Sequence, residues 1–254
     1  MRILYSCFLV LFLLLSVQVK AQREGAIDYE KEFLGGVNFN TNGGVIGGFM
    51  FRYARLLTDS KNQFHTFNFE LGIVKHPKEI RYASQQTGGS FIAYKKNNLV
   101  VLRPSYGREF VLFHKGNEDG VQLDFLISGG LSIGILTPYY IEYFNVGTQT
   151  SDYVPYDPVT TPDISKVLNS GGYMMGFGES KIVPGLHIRS GFSFEYSHFT
   201  NSVTGIEVGV LLEGFTQTMV ILEAPVFSGT PAGYIKNKQF FSSVYINIYY
   251  GGRK

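Results

Sequence analysis

Apolar and polar residues alternate along most of this chain with a period of two. Residues 240–250 show the pattern best: Ser242, Val244, Ile246, Ile248 and Tyr250 share one face, and Ser243, Tyr245, Asn247 and Tyr249 share the other. Successive side chains of a β-strand point to opposite faces, so the pattern predicts a strand with one apolar side. At 203–215, Ile206, Val208, Val210 and Leu212 stand against Glu207, Gly209, Leu211 and Glu213. At 185–198, Ile188, Phe192, Phe194 and Tyr196 oppose Arg189, Gly191, Ser193 and Glu195. Residues 119–137 set Leu123, Phe125, Ile127 and Leu131 against Gln122, Asp124, Ser128 and Ser132.

The N-terminal half repeats the theme. Residues 64–74 place Phe67, Phe69, Leu71 and Ile73 opposite Thr66, Asn68, Glu70 and Gly72. At 98–108, Val100, Leu102 and Tyr106 oppose Arg103, Ser105 and Gly107, with Pro104 interrupting the apolar face. Proline supplies no N–H to a ladder, so a bulge is expected there. The first two segments, 32–40 and 45–55, are joined by Thr41-Asn42-Gly43-Gly44, a hairpin signal.

These are about eight segments of about ten residues, the length a tilted membrane strand needs. Their second face is small or polar with scattered charges, which suits a narrow barrel lumen better than a solvated sheet. The connections run in order to about four, eight, 23, ten, 47, four and 24 residues. After the first hairpin, short and long alternate, placing the loops near 75–97, 138–184 and 216–238 at one end. Membrane barrels have short turns on one side and long loops on the other. The predicted fold is therefore all-β, a closed antiparallel up-and-down transmembrane barrel of about eight strands. The alternative is ten strands, with extra ones near 141–147 and 172–178.

The long central loop also carries a helix signal, with Thr161 as N-cap, Pro162 in the first position and Gly171 just past the end. Its Tyr139, Tyr140, Tyr143, Phe144, Tyr153, Tyr156 and Tyr173 suit either a membrane interface or a lid over the barrel.

The first 21 residues have a different composition. Arg2 precedes an apolar core from Cys7 to Leu15, and Val19-Lys20-Ala21 offers a cleavage site before Gln22. This reads as a secretory signal peptide, leaving 22–254 as the barrel domain. Cys7, the sole cysteine, goes with it, so no disulfide, thiol nucleophile or cysteine metal ligand is expected in the mature chain. Arg2 and Lys20 also account for the formal charge of +2, and the neutral remainder gives no reason to expect a nucleic-acid partner.

Val74-Lys75-His76-Pro77-Lys78-Glu79-Ile80-Arg81, Asn97-Asn98-Leu99-Val100-Val101-Leu102-Arg103-Pro104-Ser105-Tyr106-Gly107-Arg108 and Ser128-Gly129-Gly130-Leu131-Ser132 resemble segments of Bacteroidota outer-membrane barrel proteins, the PorT-like and OmpA-like eight-stranded group. That resemblance implies a cell outer-membrane location more than an activity. One departure is the end of the chain: many such barrels finish on an aromatic residue, whereas here Gly251-Gly252-Arg253-Lys254 follow Tyr250.

The predicted inward faces carry Arg52, Arg103 and Arg189 alongside Glu70, Asp124, Glu195, Glu207 and Glu213. Charges inside a narrow lumen must be paired or hydrated, so an ion-pair network plugging the barrel is expected. Hairpin register sets Glu213 across from His187 or Arg189, and Glu195 near Glu207. His187 with Glu213 at the mouth is the only arrangement that invites a lipid-hydrolase reading. It lacks a nucleophile, because Ser190 has the opposite parity. His65, His76, His114 and His198 show no metal-ligand spacing. Lys75, Lys78, Arg81, Lys95 and Lys96 form a basic loop suited to anionic lipid or lipopolysaccharide phosphates. The expected role is structural or partner-binding, through a periplasmic or surface protein, with no enzyme activity, metal or cofactor. A lipid-modifying enzyme and a narrow transport channel are the alternatives.

Overall fold

Strand pairing follows the alternation. The computed structural model describes residues 29–58, 62–114, 120–158, 163–196, 202–223 and 236–254. The expected signal peptide lies outside them, as do Thr161, Pro162 and His198. In chain order the strands are β1 (Lys31–Asn40), β2 (Gly44–Leu56), β3 (Gln63–Val74), β4 (Arg81–Ala83), β5 (Ser90–Ile92), β6 (Asn97–Phe113), β7 (Val121–Pro138), β8 (Tyr140–Asn145), β9 (Thr150–Pro155), β10 (Val167–Ser170), β11 (Lys181–Tyr196), β12 (Ser202–Met219) and β13 (Lys238–Arg253). Eight of them close an antiparallel barrel in the order β1-β13-β12-β11-β7-β6-β3-β2. Each strand pairs with its barrel neighbours in sequence, and β1 meets β13 to seal the ring, so no edge is left open.

The barrel is turned inside out relative to a water-soluble protein. Phe51, Phe69, Ile127, Ile188, Phe192, Val208, Val210, Ile246 and Ile248 are exposed around its whole girth, while Arg52, Glu70, Asp124, Arg189, Glu207 and Asn247 are buried inside. Glycines make room for the interior. A Cβ at Gly191 or Gly209 would lie 2.8 or 2.6 Å from the Tyr245 hydroxyl, so both positions must stay bare for that ring to lie across the lumen.

Two apolar clusters bracket the polar interior. At the long-loop end, Val74, Leu99, Val101, Leu136, Val183, Phe215, Met219 and Ile221 pack together from the tips of the strands. At the short-turn end, Ala54, Phe64 and Val111 pack with Tyr29 and Leu56.

Three expectations are corrected. The strand content of the central loop does not enlarge the barrel: β8 joins β9 and β10 in a separate three-stranded sheet, and 172–178 forms turns. No helix reaches Gly171. The 3-10 turn Ile164–Lys166 is capped by Asp163, and the chain then extends at once into β10, where Val167 is buried against β8. Pro104 causes no bulge: the β6–β7 ladder skips Arg103 and Pro104 and resumes at Ser105↔Gly130 in the same register. The missing N–H interrupts pairing there without inserting a residue. The irregularity of this pair lies instead between Val111 and Phe113.

Candidate functional site

Two parts of the molecule concentrate chemistry: the barrel interior and the folded loops at its long-loop end.

Inside, alternate positions of β2, β3, β6, β11 and β12 aim charged side chains at one another. Arg103 donates from Nε and Nη2 to the two oxygens of Glu213 at 2.7 and 2.9 Å, and from Nη1 to Glu70 at 2.8 Å. The other Glu70 oxygen accepts from Arg189 at 3.3 Å, and Arg189 donates in turn to Glu207 at 2.6 Å. Glu207 also accepts from the Tyr245 hydroxyl at 2.6 Å and from Arg52. Arg52 completes its environment with Asn68 at 2.9 Å and a looser approach to Glu109 at 3.8 Å. The result is a ladder of alternating charge running down the lumen: Glu213, Arg103, Glu70, Arg189, Glu207, Arg52. Bidentate guanidinium–carboxylate pairs of this kind are among the stronger charge-assisted contacts.

All eight interior charges named from the sequence are buried here, and seven of them take part in ion pairs. The eighth, Asp124, accepts from Gln122 instead, at 3.0 and 3.1 Å. The expected approach of Glu195 to Glu207 does not occur. Register sets Ser193 opposite Glu207 and Glu195 opposite Gly205, and Glu195 pairs with Arg253. Alternation also missed Glu32, Glu109 and Arg253, all at the short-turn end; extending the β6 pattern through Arg103, Ser105 and Gly107 reaches Glu109.

His187 does lie across from Glu213, and a serine joins them, though not Ser190. Ser132 on β7 has its Oγ 3.1 Å from His187 Nδ1 and donates to Glu213 at 2.6 Å. A nucleophile needs an adjacent base and an open approach. Ser132 is 0% exposed and its proton is directed at Glu213, so the three serve as an interior hydrogen-bonded knot.

The loops fold into a cap. The β4–β5 hairpin, the β8–β9–β10 sheet and residues 220–223 are tied together by Ser84 Oγ to the Val167 carbonyl at 2.9 Å, Thr87 Oγ1 to the Leu168 carbonyl at 2.7 Å, and Glu223 N to the Tyr94 carbonyl at 2.8 Å. Phe91, Ala93, Tyr139, Ile141, Tyr156 and Val167 form its own core. Four of the central-loop aromatics (Tyr139, Tyr143, Tyr156 and the partly exposed Tyr140) are therefore engaged in or around the cap sheet.

The basic loop residues do not form one lipid-facing row. Lys95 is 3% exposed, hydrogen-bonded to Glu79 at 3.0 Å and set 5.7 Å from the centre of the Tyr139 ring. Burial pulls its ammonium below its ordinary pKa, with Glu79 opposing the shift. Lys96 pairs with Glu223, and Lys78 is exposed. Lys75, Arg81 and Lys95 instead share a cleft of about 390 Å³ with Glu79, Ile92, Tyr139, Ser170 and Tyr173. Three cations against one carboxylate give this cleft a positive balance.

The remaining histidines have local roles: His65 contacts the Tyr106 hydroxyl, His76 Nε2 the Lys236 carbonyl at 3.2 Å, and His114 the Asn62 side chain at 3.3 Å.

No protein-family model matches the chain, and neither does any curated protein. Among solved structures, it is similar to Neisserial surface protein A, with 8% identity and a TM-score of 0.38 over 91% of this chain and 100% of that one. It is also similar to Ail, the attachment invasion locus protein of Yersinia pestis, solved in complex with the heparin analogue sucrose octasulfate. There the identity is 9% and the TM-score 0.37, over 89% of this chain and 99% of that one. At these scores the likeness is distant.

Proposed function

We propose that the protein is an integral outer-membrane barrel with a sealed lumen, whose working surface is the folded cap, in a structural or partner-binding role. The observation that carries this reading is the exposed apolar girdle on a closed barrel with a buried ion-pair ladder. Lipid is the medium in which such an outside is favourable, and closure leaves no open sheet edge within it. The short-turn end then faces the periplasm and the cap faces outward. A signal peptide and the resemblance to PorT-like barrels of Bacteroidota support the same location.

The ladder and the two apolar clusters close the lumen to solutes, in keeping with the narrow interior of an eight-stranded barrel. The cleft of Lys75, Arg81 and Lys95 receives an anionic group, with lipopolysaccharide phosphate the nearest source in such a membrane. Two experiments test this. Purified protein inserted in a planar bilayer should pass no current, and discrete conductance steps would defeat the sealed lumen. Protein in detergent should retain lipopolysaccharide in a salt-sensitive way, and retention unchanged by Lys75→Glu with Arg81→Glu would remove the cleft from the account.

A further inference from the structure

We propose that Glu32, Glu109 and Glu195 hold a hard divalent cation, calcium by preference, inside the short-turn end of the barrel. One carboxylate oxygen from each lies within 4.8 Å of the other two, and all three side chains are buried. Calcium takes oxygen ligands at about 2.3–2.6 Å, so oxygens on opposite sides of the ion stand up to about 5 Å apart. Carboxylates alone, with no sulfur or imidazole, select a hard cation.

Proximity of acids is not sufficient, and two further observations point to a ligand. Glu109 is 1% exposed, yet neither of its oxygens has a hydrogen-bond partner; Arg52 Nη1 stands off at 3.8 Å. Glu32 Oε2 is in the same position, although its other oxygen accepts from Arg253 at 3.2 Å. Buried carboxylate oxygens are rarely left without a donor or a metal, because desolvation goes uncompensated. The second observation is charge. Among the described residues, seven interior carboxyl groups (Glu32, Glu70, Glu109, Asp124, Glu195, Glu207, Glu213) face four guanidinium groups (Arg52, Arg103, Arg189, Arg253). The ladder consumes Glu213, Glu70 and Glu207 against Arg103, Arg189 and Arg52, so the whole excess falls at the short-turn end. There Arg253 is the one cation not also committed to the ladder, bridging Glu32 and Glu195 while its ring-facing side covers Tyr29 at 4.0 Å. Its side chain is 11% exposed, against 1–2% for Glu32, Glu109 and Glu195, which marks the side from which an ion enters.

The test is calorimetric titration of calcium chloride into the full chain, folded in detergent after chelation, with terbium luminescence sensitised by neighbouring tyrosines as a second readout. The expected result is one ion per chain, a raised thermal midpoint, weaker binding of magnesium, and at least a tenfold loss of affinity in Glu109→Gln. Arg253→Gln removes the competing guanidinium and should tighten binding. Absence of calcium binding by the wild type, with Glu109→Gln as stable as wild type or more so, would overturn the proposal and indicate protons shared among the acids. Calcium binding unchanged in both variants would overturn it equally, by placing the ion elsewhere.

Discussion

Arg103 and Glu213, 110 positions apart in the chain, meet across the barrel interior through two parallel hydrogen bonds of 2.7 and 2.9 Å. The same guanidinium also reaches Glu70, so a single side chain ties β6 to both β3 and β12. Arg103→Leu takes from buried Glu213 its guanidinium partner and leaves Glu70 with Arg189 alone, and breaking such a contact costs about 3–5 kcal/mol. Urea unfolding in lipid vesicles should show that loss, while Arg103→Met combined with Glu213→Gln should recover a large part of it. A loss below about 1 kcal/mol for the single variant would mean the ladder does not hold the barrel together.

A charge placed on the apolar girdle should be penalised according to depth. Val210, 51% exposed at mid-strand in β12, is flanked on both sides by apolar outward residues. Val210→Lys should cost about 2–4 kcal/mol in vesicles, and Tyr250→Lys, near the strand end, about 1 kcal/mol or less. Equal costs at the two positions would show that no hydrocarbon layer surrounds the barrel.

The positive cleft predicts a local charge effect. Lys75→Glu with Arg81→Glu should reduce lipopolysaccharide retention at least tenfold and flatten its salt dependence. Lys31→Glu, at the opposite end of the barrel, should leave retention unchanged. Surface plasmon resonance at two ionic strengths separates the two cases.

Lys95 gives the cap a pH dependence of known sign. Its folded pKa lies below the ordinary 10.5, so between the two values the unfolded chain binds more protons. Cap stability should therefore rise with pH through that window and be lowest below it, where Lys95 is charged in both states. Tyr156, pushed up to about 12 by burial, stays neutral throughout. Near-ultraviolet melting curves of the wild type should show this rise relative to Lys95→Met with Glu79→Gln. Parallel curves for the two proteins would contradict it.

The barrel strands and the interior charges at their centres were legible because period-two alternation depends only on local sequence and persists over ten or more residues. Glu109 and Arg253 lie just past Arg108 and Tyr250, where flanking residues no longer alternate cleanly. Glu32 opens the segment 32–40, where no face can be established from one side. Turn length alone does not fix hairpin register to within two residues: Glu195 faces Gly205, two positions from Glu207, and its partner comes from the far end of β13, at the far side of β12. Of the cap, only a strand near 141–147, which is β8, and aromatic residues suited to a lid were legible; its assembly was not. Its strands are three to six residues long and pair through side-chain contacts between loops far apart in sequence, such as Ser84 with Val167. The burial of Lys95 follows from that long-range assembly, so a basic run on paper became an internal ion pair.

The sealed membrane barrel with an outward cap is tested most directly by cysteine labelling in intact cells, since the sole cysteine, Cys7, falls within the expected signal peptide. Tyr153→Cys lies on the exposed face of β9 in the cap, and Gly120→Cys lies in the turn before β7 at the opposite end. A membrane-impermeant maleimide should modify the first in intact cells, and the second only after the outer membrane is permeabilised. Equal labelling of both positions in intact cells, or recovery of the protein in the aqueous fraction, would contradict the account.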